Sequence, residues 1–589
     1  MSPSVPSASR RLITALALMA AALVLLVSVA PRATAGPALP DRSINALFAL
    51  KHPEGLRNFA RSVSTPGNPN YQQYRPVKWL VKRFGASAKT KKRALRALRS
   101  RGIAAEVEKT GQAILATMTP DQATEFSADG ARVSAAGDTA GAVPPELTGL
   151  VTGVGFLDSD PDKFKTAAAK GGTFTPTLGS ARVRTGTPAG CAAGQAVAPN
   201  TELAPFTPNQ YLDAYGHSAL HKQGFKGQGM RMAVVEIDGF HRSDIETFGE
   251  CFGIRVPPTP ITLAGIKKPL APTGETTLDL EVISAAAPNL KKIFVYQGGS
   301  GEAGLMRSMG SALGKPGSTP DAISMSVGGC EAQLTGQLAF RRGIDNILAV
   351  AAGAGIPFFI SAGDVGAAGC PLGDNATGLP FLAVQDPSSA EFATGVGGTN
   401  ISLNAQNQIT EEVVWRGGSE VGPNGGGGGL SILTDRPWYQ RWSKHFNQYG
   451  PNRAVPDITG LADLYPGYSI YEGGWTAVGG TSAATPLMAA GVTLINQKRK
   501  RAGHRSLGFI NPLIYRIGNS KAYGKAIRDV TVGNNDTGPY IPATAGGSGQ
   551  SLGCCSAAKG YDVASGWGSL KLVGLAKVAA KYNPKRGGK

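Results

Sequence analysis

The sequence contains few of the residues from which zinc sites and disordered tails are built. Its 589 residues include only 6 cysteines and 6 histidines, with no CxxC pair and no Cys/His spacing typical of zinc. Charged residues make up 17% and hydrophobic residues 42%, a balance that excludes wholesale disorder. The 80 glycines follow no three-residue period, which excludes collagen. The composition therefore predicts turn-rich globular structure, and the length predicts two or three domains.

Acidic residues are scarce in the first third of the chain. Residues 1–200 carry 25 basic and 12 acidic side chains, so most of the net charge of +19 lies there. The densest basic run, from Lys89 to Arg101, contains Leu95 and Leu98 at a spacing that predicts an amphipathic helix. We interpret it as a solvated surface helix, with a docking face for an acidic partner as the alternative. No nucleic-acid binding is expected, because no zinc, RNP-like or aromatic-interleaved motif accompanies the charge.

Long apolar runs are absent except at the N-terminus. Arg10 and Arg11 precede an apolar run from Leu12 to Ala30, and Ala33-Thr34-Ala35 follows it. This is the pattern of a secretory signal peptide, so residues 1–35 are predicted to be removed and the protein to be secreted and extracellular. The run is also long enough to serve as an uncleaved anchor, which is the only membrane attachment that the sequence predicts.

In an exported chain the six cysteines can form disulfides. Cys330 and Cys370 each lie shortly after a predicted strand, which makes them a plausible pair. The pairing of the remaining cysteines is left open by the sequence.

Two changes of pattern divide the rest of the chain. Residues 36–170 mix basic helical patterns with short alternating segments, which predicts a small α+β domain. Residues 171–207 are rich in Gly, Thr, Pro and Ala and are interpreted as a linker. In residues 208–589 apolar strands alternate with helices, which predicts an α/β fold with a mostly parallel sheet, helices on both faces, and active residues at the strand carboxyl ends. The clearest predicted elements are strands at Met232–Ile237, Lys292–Tyr296, Ala322–Val327 and Pro357–Ser361 and helices at Thr276–Ala287 and Leu334–Ala351.

A serine at a glycine-rich helix start is the most informative local feature. Gly479-Gly480-Thr481-Ser482 leads into an alanine-rich helix, so the Ser482 hydroxyl lies at a helix N-terminus whose field favours negative charge. This placement suits a nucleophile, and it equally suits an ordinary helix N-cap. A serine nucleophile needs a base, yet none of the six histidines stands in a glycine-flanked helix start.

Three carboxylates offer a replacement for the missing histidine. Glu275 and Asp279 are four residues apart, so one helix face carries both, and they repel unless they share a proton or have a task. A solvated acidic face is the alternative interpretation. Asp364 follows an apolar strand at the edge where active residues are expected, although an Asx-turn would also place an aspartate there.

Together these segments resemble the sedolisin, or serine-carboxyl peptidase, family, whose fold is subtilisin-like. The resemblance extends from about Thr207 to Lys581, and the basic region upstream resembles the activation prodomain of that family. Four motifs occur in the order of the family: Glu275-x-x-x-Asp279, Ser361-x-Gly363-Asp364-x-Gly366, Val455-Pro456-Asp457 and Gly479-Gly480-Thr481-Ser482-Ala483.

The resemblance implies a role for each catalytic residue. Ser482 is expected to be the nucleophile, Glu275 its general base, and Asp279 the group that orients and polarises Glu275. Asp364 is expected to stabilise the oxyanion as a protonated acid. A glutamate with an ordinary pKa of about 4.3 acts as a base near acid pH, which implies an acid-acting enzyme. Glu236 resembles an accessory acid of the family, but its usual tryptophan partner is missing.

The resemblance also implies one structural calcium ion near the C-terminus. Asp529 and Asp562 are expected to contribute carboxylates, and Val530, Ala558 and Gly560 are expected to contribute carbonyl oxygens, which suits the oxygen-rich coordination of Ca²⁺. Without the resemblance these residues would be interpreted as turn residues.

These observations predict a secreted, acid-acting serine endopeptidase made as a self-processing zymogen. Its partners are expected to be protein or peptide substrates and its own prodomain, which acts as inhibitor or chaperone, and the enzyme is expected to be a monomer. The Lys89–Arg101 helix is then expected to dock on the peptidase domain as a latch that loosens when carboxylates protonate. The alternatives are an inactive relative serving as a binding or surface protein, a tripeptidyl-type peptidase, and a neutral subtilisin-type hydrolase that uses Asp238 and a histidine.

Overall fold

The computed structural model describes residues 43–127, 140–158, 164–166, 169–170, 185–197, 203–299, 301–370, 381–417, 423–541 and 548–583. The chain from Ile44 onward forms one compact unit. The predicted signal peptide at residues 1–35 lies outside the described residues, as does part of the predicted linker. Within the described residues, no helix combines the length and the apolar character that a membrane span requires.

The helices are numbered in chain order. They are α1 Leu56–Ser64, α2 Val77–Phe84, α3 Ala88–Arg99, α4 Pro120–Thr124, α5 Ala192–Gln195, α6 Pro208–Tyr215, α7 His217–Lys222, α8 Arg242–Phe252, α9 Glu275–Ala286, α10 Gly301–Ala312, α11 Leu338–Ala354, α12 Thr481–Arg501, α13 Asn511–Gly518, α14 Tyr523–Ala526 and α15 Leu572–Ala579. Short 3₁₀ helices add Pro145–Leu147, Glu331–Leu334, Gly366–Ala368, Trp438–Trp442, Lys444–Tyr449, Gly538–Tyr540 and Ala580–Tyr582.

The strands are numbered in the same way. They are β1 Ile44–Leu50, β2 Ala104–Val107, β3 Ala113–Met118, β4 Ala140–Gly141, β5 Val151–Leu157, β6 Lys165–Thr166, β7 Ala169–Lys170, β8 Arg231–Glu236, β9 Ile261–Leu263, β10 Lys292–Gln297, β11 Ala322–Met325, β12 Val327–Cys330, β13 Phe358–Ser361, β14 Gln385–Asp386, β15 Thr394–Leu403, β16 Ile409–Val414, β17 Gly429–Asp435, β18 Asn452–Val455, β19 Ile458–Leu461, β20 Tyr468–Tyr471, β21 Trp475–Gly479, β22 Ile527–Arg528 and β23 Ser569–Leu570.

The N-terminal region is an antiparallel sheet with its own helices and core. Its strands lie in the order β2-β3-β1-β5-β4. Helix α3, predicted from the basic run, begins after Ser87, whose side chain accepts a hydrogen bond from the Thr90 N–H. Ala94 and Leu98 of this helix are buried in a cluster that belongs to the same sheet. The apolar stripe of α3 therefore packs against the N-terminal sheet, and its basic side chains lie on the outer face.

The large sheet of the C-terminal region is mostly parallel, as predicted. Its strands lie in the order β22-β23-β19-β15-β13-β11-β8-β10-β9, with β16 beside β15. The pairs from β9 through β23 are parallel, whereas β16 and β22 pair antiparallel with their neighbours. Helix α12 packs against β11, β13, β15 and β19, and α10 packs against β8 and β10. The predicted strands and helices around the site residues are confirmed, with bounds that differ by only a few residues.

The described part of the predicted linker is fastened to the C-terminal region. Cys191 forms a disulfide with Cys251, and the Thr187 N–H donates to Asn407 Oδ1 at 2.7 Å. The predicted pair Cys330–Cys370 is confirmed as a disulfide, and Cys554–Cys555 is the third. Residues 185–197 are therefore held in place by the domain that follows them.

Candidate active site

Ser482 lies in the first turn of α12, where glycines allow a close approach of the backbone. Gly480 has a φ of +111°, and a Cβ at Gly479 would come within 2.5 Å of the Ala462 carbonyl oxygen. Ser482 is fully buried, and no described residue lies at hydrogen-bond distance and angle from its hydroxyl. Pro486 stands four residues later and has no N–H to donate to the Ser482 carbonyl oxygen. That carbonyl oxygen lies 3.3 Å from the Ser326 hydroxyl instead.

Glu275 and Asp279 lie on α9, which packs against α12. Both carboxyl groups are buried, which contradicts the alternative of a solvated acidic face. Burial, followed by the neighbouring Asp279 carboxylate, raises the pKa of Glu275 well above its ordinary value, while the Ser482 hydroxyl lowers it. Burial raises the pKa of Asp279 to about 8, against the effect of the Ser326 hydroxyl, which donates to Asp279 Oδ1 at 2.9 Å. The two carboxyl groups are thus placed to share protons beside the serine.

Glu236 extends this series of acids into the sheet. It is the last residue of β8 and is fully buried. Burial raises the pKa of Glu236 well above its ordinary value, and the neighbouring Asp279 adds to the rise. Val327 is a buried residue of β12. Glu236, which the resemblance suggested as an accessory acid, lies next to Asp279.

Asp364 lies in the loop that follows β13, at the same edge of the sheet. Its Oδ1 atom accepts hydrogen bonds from the Thr481 N–H at 2.8 Å and from the Thr481 hydroxyl at 2.7 Å. Its Oδ2 atom is buried and has no hydrogen-bond partner among the described residues. Burial raises the pKa of Asp364 to about 7, and the two bonds from Thr481 act against that rise. Below that pH the carboxyl group is protonated and can donate a hydrogen bond beside Ser482.

Two strands border the space in front of Ser482, and each pairs with a short strand of the N-terminal region. In β12, Val327 pairs with Thr166 of β6, and in β21, Gly479 pairs with Ala169 of β7. Both pairings are antiparallel. Strands β6 and β7, which the sequence assigned to the end of the prodomain, therefore pair with the two strands that lie next to the serine.

The histidines take no part in this arrangement. All six lie within the described residues, and none of them is hydrogen-bonded to Ser482 or to Asp238. His217 is buried with its pKa lowered to about 3, and its ring contacts the Leu487 carbonyl oxygen. The geometry therefore does not support a subtilisin-type hydrolase built on Asp238 and a histidine.

The residues proposed for calcium come together near the C-terminus. The Gly560 N–H donates to Asp529 Oδ2 at 3.0 Å, and the Ala558 N–H donates to Asp562 Oδ2 at 2.9 Å. The Ser565 hydroxyl lies 3.1 Å from Asp562 Oδ1 and 3.5 Å from the Val530 carbonyl oxygen. Burial raises the pKa of Asp562 to about 6, so its charge is poorly solvated. Among the described residues no group of three or more His, Cys, Asp and Glu side chains could hold a metal, so an ion here would need carbonyl oxygens besides the two carboxylates.

Of two side chains that contact Glu275 and Asp279, sequence reasoning gave Ser326 no role and considered Asp238 only as the acid of a subtilisin-type alternative. Ser326 bonds to Asp279, and Asp238 accepts hydrogen bonds from the first residues of α9. The position of Asp238 at the end of a buried strand was visible in the sequence. Its contacts with α9, almost forty residues away, were not.

Comparisons with known proteins agree with this architecture. Residues 33–157 match the model of the pro-kumamolisin activation domain, and residues 273–529 match the model of the subtilase family. Pseudomonas sedolisin, a serine-carboxyl proteinase solved with two molecules of pseudo-iodotyrostatin, has a TM-score of 0.54 and 24% identity. The match covers 66% of this chain and 99% of that chain, and it indicates the same fold.

Curated relatives match with somewhat higher identity. Kumamolisin from Bacillus sp. (strain MN-32) is 30% identical over 343 residues, which are 56% of this chain and 58% of that protein. Tripeptidyl-peptidase sed4 from Aspergillus fumigatus is 30% identical over 339 residues, which are 51% of this chain and 53% of that protein. The chain thus spans about half the length of the curated relatives that it matches.

Proposed function

We propose that the chain is a serine-carboxyl endopeptidase of the sedolisin family made as a zymogen, because residues 33–157 match the pro-kumamolisin activation domain and residues 273–529 match the subtilase family. The observation that carries the proposal is the meeting of Ser482, Glu275, Asp279 and Asp364 at one edge of the sheet. All four are buried or near-buried groups that no cation pairs with among the described residues. Digestion of casein by the acidified protein tests the proposal, and it separates an enzyme from an inactive relative that serves only for binding.

The first step is the attack of Ser482 on the scissile carbonyl carbon. As the bond from Ser482 Oγ to that carbon forms, the hydroxyl proton passes to the Glu275 carboxylate. The neighbouring carboxyl group of Asp279 stabilises the protonated Glu275 by sharing that proton. Glu275 then returns the proton to the leaving amine as the peptide bond breaks, which leaves an acyl-enzyme. A water molecule then attacks the acyl carbon while Glu275 takes its proton. Glu275 passes that proton to Ser482 Oγ as the bond from Oγ to the acyl carbon breaks, which releases the acid product and restores the serine.

Asp364 is placed to stabilise the negative oxygen of the tetrahedral intermediate. Its Oδ1 atom is held by Thr481, the residue next to the nucleophile, which leaves Oδ2 as the atom that carries the proton. A buried donor of this kind needs no reorganisation when charge develops on the oxyanion. It works only while Asp364 remains protonated, which the raised pKa of about 7 allows throughout the acid range.

The protonation of Glu275 links activity to removal of the prodomain. Burial is the main cause of its raised pKa, and strands β6 and β7 cover the cleft in this form of the chain. A protonated Glu275 cannot accept the proton of Ser482. Departure of the strands admits water, which lowers the pKa of Glu275 toward its ordinary value and generates the base. The prodomain therefore inhibits both by filling the cleft and by keeping the base neutral.

The cleft supports endopeptidase rather than tripeptidyl-peptidase cleavage. Antiparallel pairing on both walls accommodates a chain on each side of Ser482, and upstream of β6 the Phe164 side chain is buried against Phe340. The N-terminal side of the cleft therefore admits a chain that continues beyond a few residues. Because tripeptidyl-peptidases are among the relatives, the alternative is tested by digesting peptides with blocked N-termini, which a tripeptidyl-peptidase leaves intact.

Secretion is part of the proposal. Three disulfides among the described residues suit an oxidising compartment, and the N-terminal sequence carries the signal-peptide pattern. We expect the functional enzyme to be an extracellular monomer.

The predicted docking role of the basic helix α3 is wrong. This helix packs against β2 and the 3₁₀ turn at Pro145–Leu147, and Arg101 at its end pairs with Glu125 and Glu146 of the same region. Helices α1 and α2 make the contact instead, by packing on α11 of the peptidase region. The dense run of basic residues therefore marks an exposed face of the N-terminal region. The surface that contacts the peptidase region is formed by α1 and α2 instead.

The ion pairs that join the two regions come from α1. Arg57 donates to Glu391 Oε2 through two nitrogens, at 2.7 and 3.0 Å, and Arg61 donates to Glu391 Oε1 at 2.7 Å. Asp345 of α11 lies 3.6 Å from Arg57. Burial raises the pKa of Asp345, with Arg341 and Arg57 acting against the rise, so this carboxylate loses its charge at a higher pH than an ordinary aspartate. Arg57 attracts Asp345 only while this carboxylate is charged, so this one part of the attraction disappears when Asp345 is protonated.

Replacement of both arginines, Arg57→Ala with Arg61→Ala, is expected to raise the pH at which the prodomain separates by about one unit. Separation is measured by size exclusion across a pH series, in the Ser482→Ala background so that cutting does not interfere. The matched control removes two exposed charges of α3, Lys92→Ala with Arg93→Ala, and should leave the separation pH unchanged. A shift produced by the α3 variant alone would restore the original hypothesis.

A calcium ion is proposed at the C-terminal group of oxygens. Asp529 and Asp562 would hold it together with the carbonyl oxygens of Val530, Ala558 and Gly560. The positive charge of the ion would stabilise the negative charge of the buried Asp562 carboxylate. Chelation is expected to lower the melting temperature by about 5 °C, because a ligand that binds only the folded state stabilises it. Asp562→Asn should abolish the difference between calcium and chelator, whereas Asp213→Asn should retain it. Equal melting temperatures of the parent protein with calcium and with chelator would contradict the site.

A further inference from the structure

Asp238 lies in the interior beside the catalytic acids, and the family resemblance gives it no task. It follows strand β8, is 3% exposed, and pairs with no basic side chain within the described residues. An isolated buried carboxylate is costly unless hydrogen bonds replace its hydration. The donors that replace it therefore indicate what the residue does.

All of these donors belong to the start of α9. Asp238 Oδ2 accepts from the Thr273 N–H at 3.0 Å, the Thr273 hydroxyl at 2.8 Å and the Glu275 N–H at 3.1 Å. Its Oδ1 atom accepts from the Thr276 N–H at 3.1 Å and from the Thr276 hydroxyl. Five donors from three residues thus converge on one carboxylate.

The helix has no other cap. The residue before α9 is Gly274, with a φ of +106°, which has no side chain to accept from the first N–H groups. Those groups have no partner inside a helix, and a negative charge at that end is stabilised by them. Asp238 supplies the acceptor from a different strand, so the cap also fixes where the helix begins relative to the sheet.

The first residue of this helix is Glu275. Because its own N–H bonds to Asp238, the backbone of the base is tied to the end of β8. Asp238 is tied in turn to β10, since Gln297 Nε2 donates to its carbonyl oxygen at 2.8 Å. The connection runs from the sheet through Asp238 to the residue that accepts the proton of Ser482.

We propose that Asp238 is a positioning residue that sets both the place and the proton affinity of the general base Glu275. This rests on the proposed peptidase function. The groups that face Glu275 are Asp279 on its own helix, Asp238 at the end of β8, Asp364 after β13 and Ser482 on α12. Asp238, like Asp279 and Asp364, raises the pKa of Glu275, and it also raises the pKa of Glu236 and Asp279.

Asp238→Asn tests both effects in the acid-matured enzyme. The amide cannot accept from donors on both of its sides, so α9 loses part of its cap and kcat is expected to fall by about 100-fold with KM nearly unchanged. The lost charge lowers the pKa of Glu275. The acid limb of the kcat profile, where activity rises as Glu275 ionises, is therefore expected to move to lower pH by about one unit.

The control is Asp321→Asn, at a residue that precedes β11 and contacts the first residue of β8, at the end opposite to Asp238. Asp321 Oδ2 accepts from the Arg231 N–H at 2.8 Å, so it also caps a backbone group from outside its element. This variant should keep the parent kcat and the parent acid limb. An inactive parent and an inactive Asp321→Asn would count against the peptidase function itself, which separates that failure from a failure of the Asp238 proposal.

Thr273→Val keeps the test decisive if Asp238→Asn does not fold. It removes one of the five donors and retains the charge, so kcat is expected to fall by about 3- to 10-fold while the acid limb stays within about 0.2 pH units. Parent values of kcat in either variant would overturn the proposal. A fall in kcat that follows the folded fraction, with the acid limb of Asp238→Asn unmoved, would also overturn it, because it would reduce Asp238 to a structural role.

Discussion

Ser482→Ala is expected to remain full length after acidification and to lose protein-digesting activity by about 10⁴-fold or more. The hydroxyl removed is the only group in the proposed mechanism that forms a covalent bond with the substrate. The parent chain should shorten by about a third as the prodomain is cut away, which gel electrophoresis and intact mass report directly. Retention of the full-length species and of the buried fold separates loss of chemistry from loss of structure.

Ser520→Ala is the matched control for this prediction. Ser520 lies after α13, far along the chain from the cleft, and its hydroxyl bonds to the Ile517 carbonyl oxygen. The control should mature at the same rate as the parent. If Ser482→Ala instead matures alone at acid pH and then digests casein, the nucleophile has been assigned to the wrong residue.

Glu275→Gln is expected to lower kcat by about 10³- to 10⁴-fold while the protein still folds, because the amide keeps the shape of the side chain and cannot accept the proton of Ser482. Asn519→Asp, a change of the same size at an exposed helix end, is its control and should retain activity. The measurement is kcat for a fluorogenic peptide, with active sites counted by titration. A Glu275→Gln enzyme with parent kcat would contradict the role of Glu275 as base.

The pH profile of the parent enzyme tests the two acids together. Activity should rise as Glu275 ionises, because in the matured enzyme the departure of β6 and β7 brings the pKa of Glu275 back toward the ordinary range of glutamate. Activity should fall again near pH 7, where Asp364 loses the proton that it donates to the oxyanion. Both signs agree with an optimum on the acid side of neutrality. An optimum clearly above pH 7 would instead favour a histidine base.

Much of the candidate site could be predicted, because its residues lie within short sequence motifs. A serine after two glycines, two carboxylates four residues apart and an aspartate at a strand end are each local patterns, and a parallel sheet brings strand carboxyl ends to one edge. The structure places Ser482, Glu275 and Asp364 at that edge. The burial of Glu275, Asp279 and Asp364 raises the pKa of each carboxyl group. This burial depends on the packing of distant segments, and the motifs do not reveal it.

The features that the sequence missed depend on contacts between distant segments. Asp238 meets α9 only because β8 and α9 pack together, and no local pattern specifies that contact. The basic run of α3 dominated the charge count, yet Ala94 and Leu98 direct its apolar stripe to its own sheet. Two arginines of α1 in a less charged stretch make the ion pairs with Glu391. The composition of the predicted linker did not reveal the Cys191–Cys251 bond that fastens its described part.

The central claim is that Ser482 forms an acyl-enzyme at acid pH with carboxylates as its only catalytic partners. It is tested most directly by mixing the acid-matured enzyme with an activated peptide ester, quenching in strong acid within one turnover, and locating the added mass by peptide mapping. The expected result is one acyl group per active enzyme on Ser482, and none in the Glu275→Gln variant on the same timescale. Turnover of the ester without an acyl group on Ser482, or with the group on another residue, would contradict the account.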